Sequence, residues 1–140
     1  MSVLYRLYQN KNEKSTAKGL WYAKAISTGT VTTDDLANIM QSNSTVKASD
    51  IKAVLAELVE IMGQKLRDSH RVKIDGLGSF KITLHSGASD TAKSFSANKN
   101  IKKARVLFTP ESHYNEEKKR VKLLAQGATV KELPKNAVAD

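Results

Sequence analysis

Cysteine is absent from the 140 residues, which excludes disulfides, thiolate catalysis and cysteine-ligated metal sites. Histidine is scarce, and His70, His85 and His113 are scattered with no i, i+4 pair and no carboxylate at ligand spacing. No apolar run reaches transmembrane length. The opening MSVLYRLYQN also lacks the apolar core of a secretion signal, so the cytoplasm is the expected location. Proline occurs only at Pro110 and Pro134. No nucleophile–base constellation can be assembled, and neither a catalytic function nor a cofactor is expected. The length is most simply that of one domain with a modest core.

What the chain does have is positive charge, +9 in all, and it is unevenly spread. Residues 1–63 carry seven Lys/Arg against six Asp/Glu, residues 64–124 carry fourteen against six, and residues 125–140 carry two against two. Nearly all of the excess lies in the middle segment. Such an asymmetry points to a polyanionic partner, the plainer alternative being a lysine-rich surface kept for solubility.

Along the chain, VLYRLYQN (Val3–Asn10) and LWYAKAIS (Leu20–Ser27) read as strands separated by a polar loop ending at Gly19. Trp21 and Tyr22 are stacking candidates, though packing is the commoner use of such residues. TVTTDDLANIMQ carries a helix start, with Thr32 or Thr33 as N-cap, Asp34 and Asp35 in the first turn and Leu36, Ile39 and Met40 as a stripe. A longer helix is expected from about Ala48 to Asp68, with Ile51, Val54, Leu55, Leu58, Ile61, Met62 and Leu66 on one face. That stripe is too wide for a surface helix packed on one neighbour, and suits a helix between a partner and a sheet or one shared across a dimer.

RVKIDGLGSFKITLH (Arg71–His85) contains two alternating runs split by Gly76-Leu77-Gly78. A phosphate-binding loop is excluded because the motif lacks both the third glycine of a dinucleotide fingerprint and the G-K-[ST] of a P-loop. Period-two alternation follows it, so no helix N-terminus points at it. The glycines answer backbone needs instead, a positive φ and a close approach. Phe80, Ile82 and Leu84 alternate with Lys81 and Thr83, giving an apolar and a cationic face. Ile101–Phe108 returns as a strand with Lys103 and Arg105 on the cationic side. From Lys93 to Arg105 there are five cations (Lys93, Lys99, Lys102, Lys103, Arg105) and no acid, between strands able to pair as a projecting ribbon. Thr109-Pro110-Glu111 reads as the start of a helix running to about Gln126. Its Lys118, Lys119, Arg120 and Lys122 serve equally as DNA contacts or as a solvated face, Glu116 and Arg120 forming an i, i+4 pair.

This order of elements, with GLGSF (Gly76–Phe80) at the bend and VLFTP where the return strand ends, resembles the HU/IHF family of bacterial histone-like DNA-binding proteins. The resemblance covers about Val31 to Gln126. It implies an α+β fold, a helical pair with an antiparallel sheet and a protruding β-arm, to which residues 1–30 add N-terminal strands. The arm would span about residues 86–100, the HU-like domain 31–126, and residues 127–140 a C-terminal tail. It further implies an intertwined homodimer and a nucleoid-associated, non-catalytic protein that binds double-stranded DNA with low sequence specificity. Carried over by position, Gly76, Gly78 and Phe80 form the bend and its anchor, and Lys73 and Lys81 lie on the cationic side of the saddle that the paired helices and sheets of such a dimer build. Lys93, Lys99, Lys102, Lys103 and Arg105 lie on the arm, with Lys118, Lys119 and Arg120 as additional contacts. One departure is plain: the family's arm tip usually carries Arg-Asn-Pro, and no proline lies in this arm. Phe95 and Ile101 are the alternative wedges, although pairing of the arm strands is the commoner use of such residues, and weaker bending through phosphate contacts is expected. The second expectation keeps the fold but makes it a protein-interaction or assembly module; RNA is a third partner that charge alone does not separate.

Overall fold

In the computed structural model, residues 2–133 are described. In chain order the elements are β1 (Val3–Gln9), β2 (Trp21–Ala25), α1 (Thr33–Asn43), α2 (Ala48–Arg67), β3 (Val72–Ile74) and β4 (Gly78–Ser86). These are followed by α3 (Ala97–Asn100), β5 (Ile101–Pro110), β6 (Ser112–Tyr114), β7 (Arg120–Lys122), a 3-10 turn at Leu123–Ala125 and β8 (Val130–Glu132). The described residues form two compact units, one from residues 33–126 and one from residues 2–32 together with 127–133.

In the larger unit the two helices are stitched together at their junction. The Gln41 side chain of α1 accepts the Ala48 N–H at the start of α2 (2.7 Å), serving a donor that Lys47 at the N-cap leaves without a side-chain partner. Lys52 and Asp34 add an ion pair at 2.9 Å across the two helices. At its other end α2 closes with Ser69 in the left-handed region (φ 64) and the His70 N–H on the Lys65 carbonyl at 3.0 Å.

The sheet of this unit has the order β3-β4-β5, all antiparallel. Phe80 lies opposite Phe108, Ile82 opposite Val106 and Leu84 opposite Ala104, so these six share one face. The Phe80 and Phe108 rings stack at 4.8 Å. At the bend, Gly76 has φ +80 and open space around it, whereas Gly78 has φ +146 with the β5 backbone against it at Thr109 and Pro110. The two glycines thus meet different demands, one torsional and one steric.

Little of the apolar surface is covered within the chain. Among the described residues the buried apolar side chains are Ala37, Ile51 and Leu66 alone. Val54 is 66% exposed, Val59 70% and Ile39 54%, and Leu36, Met40, Leu58 and Ile61 are open as well. The wide stripe expected on α2 is present: Ile51 and Leu66 are buried at its ends, Leu55 and Met62 are half-buried, and Val54, Leu58 and Ile61 face outward.

Two expectations are overturned. Among the described residues no α-helix follows Pro110: Thr109 and Pro110 complete β5, opposite Ser79 and Gly78, and β6 and β7 then form a hairpin. Asn115 organises its turn, its side-chain oxygen accepting the Lys119 N–H at 2.8 Å, while Lys118 takes φ 57. The segment cannot support an amphipathic helix because no apolar residue falls between Tyr114 and Val121, leaving two turns with nothing to bury. The second correction concerns the tail, since Val130–Glu132 is a strand parallel to β1, with Val3 opposite Val130 and Tyr5 opposite Glu132. Residues 134–140 lie outside the described part.

Candidate nucleic-acid interface

The second face of the β4–β5 ribbon carries the charge. Lys81 lies opposite Leu107, Thr83 opposite Arg105 and His85 opposite Lys103. Lys81, Arg105 and Lys103 therefore share this face as diagonal and same-strand neighbours, about 7–8 Å apart across the diagonal, with His85 directly opposite Lys103. Long side chains at that separation concentrate positive potential on one face of the ribbon. Among the described residues none of Lys81, Lys93, Lys99, Lys102, Lys103 and Arg105 takes part in an ion pair. Their field is therefore uncancelled locally.

The ribbon ends in a compact loop rather than an extended arm. From Gly87 to Asn100 the chain closes on itself: the Gly87 N–H donates to the Asn100 carbonyl at 2.7 Å. The Asn100 side chain ties both sides of the loop, donating from Nδ2 to the Ala88 carbonyl and accepting from the Ser96 N–H. Ser89, Thr91 and Ser94 share a hydroxyl network, with Ser89 and Ser94 Oγ 2.6 Å apart. Lys99 belongs to the single helical turn α3, and Lys102 Nζ donates to its carbonyl at 3.2 Å. Of the two alternative wedges, Ile101 is taken into the ladder opposite Ser86, while Phe95 stays exposed in the loop.

Three site candidates are drawn away by partners. Lys73 Nζ lies 3.6 Å from Asp75 and 3.6 Å from Glu111. Lys119 pairs with Glu117 at 2.7 Å, and Arg120 Nε donates to Ser112 Oγ at 2.7 Å, both in the β6–β7 hairpin. Lys118 sits at the turn of the same hairpin, apart from the ribbon's ladder.

In exchange, residues outside the expected contact set join the site, Arg71 among them although the alternation of RVKI sets it on the same side as Lys73. Arg67, His70 and Arg71, from the end of α2 and the approach to β3, line an open groove of about 500 Å³ together with Lys81. The signal was readable in Arg67 and Lys65, cations in the last helical turn, where they also complement the helix dipole. The helices carry no such excess: α1 holds Asp34 and Asp35 and no cation, and α2 balances three cations against three acids. The positive excess of this unit thus lies on the ribbon and its approaches, including the last turn of α2.

A helical pair beside a three-stranded antiparallel sheet with a basic two-stranded ribbon defines an α+β, HU-like fold. The family model described as an HU domain fused to wHTH, Ig or glycine-rich motif matches residues 1–125, and the chain belongs to that HU-HIG family. The match includes the N-terminal strands as well as the ribbon. Among solved structures the chain is similar to a crystal structure of a candidate bacterial DNA-binding protein from Bacteroides vulgatus ATCC 8482. The TM-score is 0.64 at 14% identity, over 94% of this chain and 48% of that one. The chain therefore spans about half the length of that protein. No curated protein matches the chain.

Proposed function

We propose that this chain is a non-catalytic, dimeric DNA-binding protein of the HU type, which holds double-stranded DNA through the β4–β5 ribbon and the Arg67–Arg71 approach with little sequence preference. The observation that carries the reading is the array of Lys81, Lys103 and Arg105 on one ribbon face, continued by Lys93, Lys99 and Lys102 toward the tip, with no acidic partner among the described residues. Cations without acidic partners cost the fold repulsion and gain by releasing counterions from a phosphate backbone. Family membership and likeness to a candidate bacterial DNA-binding protein support the same partner.

Dimerisation is supported by the exposed apolar side chains of α1 and α2, among them Leu36, Ile39, Met40, Val54, Leu58 and Ile61, which find no cover within one chain. Without proline at the tip, bending is expected to be modest, driven by phosphate neutralisation with Phe95 as the available wedge. Among the described residues no helix is long and apolar enough to cross a membrane.

The test is a salt titration of duplex binding. If six to eight phosphates are neutralised, log K falls against log salt with a slope of about −5 to −7. Neutralising Lys99, Lys102, Lys103 and Arg105 together to Gln should flatten that slope by about 3 to 4. An unchanged slope would transfer the function to protein assembly, the reading that the added N-terminal sheet favours.

A further inference from the structure

The smaller unit holds a surface that the ribbon does not explain. Its sheet has the order β2-β1-β8. Three successive same-face rungs run along it: Leu4 opposite Lys131, Arg6 opposite Lys24, and Tyr8 opposite Tyr22. Period-two alternation puts all six residues on one face, and no acid stands among them. Glu132 belongs to the opposite face, in register with Tyr5. The two tyrosine rings lie 5.8 Å apart at 33°, and they remain 37% and 39% exposed. Arg6 Nε donates to the Leu133 carbonyl at 3.3 Å, which holds that side chain across the sheet.

The charge of this unit is hidden when the sequence is divided in order, because its basic strands precede an acidic helical segment. Its described residues carry six cations (Arg6, Lys11, Lys14, Lys18, Lys24, Lys131) against Glu13 and Glu132, and Glu13 lies 3.5 Å from Lys18. Paired aromatics flanked by cations on an open sheet suit a ligand with both flat rings and phosphates. In a duplex the ring faces are already stacked, so the fitting ligand is a strand with unpaired bases. We infer that this face is a second nucleic-acid contact surface, stacking bases of a single strand on Tyr8 and Tyr22 and holding its phosphates on Arg6, Lys24 and Lys131.

The test uses the full chain with its ribbon silenced (K99Q/K102Q/K103Q/R105Q) and a fluorescent oligo-dT probe followed by anisotropy. Binding should persist in that background and fall about tenfold or more on adding Y8L/Y22L, the loss expected from removing base–aromatic stacking. Y8F/Y22F should restore it, because the ring and not the hydroxyl is the platform. In the parent, R6Q/K24Q/K131Q should flatten the oligo-dT salt slope by about 2. Photocrosslinking of 5-iodouracil oligonucleotide to the unsubstituted chain should mark Tyr8 or Tyr22, a readout independent of any variant's folding. Duplex binding through an intact ribbon should be indifferent to Y8L/Y22L, so failure of the ribbon reading and of this one are separable. No oligo-dT binding after ribbon silencing, or crosslinks confined to residues 87–105, would overturn the inference.

Discussion

The bend at Gly76-Leu77-Gly78 allows a matched pair of substitutions to be compared. Replacing Gly78 with Ala puts a Cβ inside contact distance of the Thr109 carbonyl oxygen, 2.8 Å from Phe108 Cε2 and 3.0 Å from Pro110 Cα. Two of these neighbours are backbone of the paired strand and cannot rotate away, and the third is a ring stacked on Phe80. Overpacking of this kind costs about 1–3 kcal/mol, and the φ of +146 adds about 1–2 kcal/mol for a residue with a side chain. The expected loss is therefore about 2–5 kcal/mol. Gly76→Ala, by contrast, meets nothing within 4 Å and bears only the torsional term, about 1–2 kcal/mol. Urea unfolding of both variants and the parent at one protein concentration, followed by far-UV circular dichroism, gives the comparison, because an associating protein's midpoint depends on concentration. Gly78→Ala must be the worse of the two. Equal midpoints for the two alanine variants would refute the close approach of β5.

Other predictions follow from different parts of the molecule. Lys118→Gly should leave stability unchanged or raise it by up to about 1 kcal/mol, since φ 57 suits glycine; in a helix the same change would cost about 1 kcal/mol, and thermal unfolding reads the sign. Val54→Asp together with Leu58→Asp should lower the sedimentation coefficient from that of a dimer to that of a monomer while helical content is kept, since both side chains are solvent-open within one chain. Gln41→Ala should cost about 0.5–2 kcal/mol by stripping the Ala48 N–H of its partner, measured by denaturant midpoint. K103Q/R105Q should flatten the duplex salt slope by about 2 in an anisotropy titration, and K119Q/R120Q should leave it unaltered, because Glu117 and Ser112 already hold those side chains.

The ribbon and the helical pair were legible because each rests on periodicity. Alternation from Phe80 to Leu84 and from Ala104 to Phe108 fixed both faces before any pairing was known, and the observed register sets those residues opposite one another. The segment after Pro110 misled because Thr-Pro-Glu is a strong local start signal, yet a start signal needs a stripe behind it. Pro110 is used instead at the end of β5, where a missing N–H does least harm. The withdrawal of Lys73 could not be read from order along the chain, as one of its partners, Glu111, comes from beyond β5. Likewise Val130–Glu132 carries no alternation of its own to announce a strand; it is ordered by the parallel edge that β1 offers.

That parallel edge has a consequence for how the molecule is made. Ser2 and Thr129, whose hydroxyls meet at 2.8 Å, are 127 residues apart, so the smaller sheet stays unfinished until almost the last described residue has been synthesised. If residues 33–126 fold first, the chain that must be closed to bring β8 home shrinks to a fraction of its length, easing closure by on the order of 1 kcal/mol. Until then β1 has a bare flank, and a nascent or truncated chain ending near Gln126 would present it to any extended segment nearby.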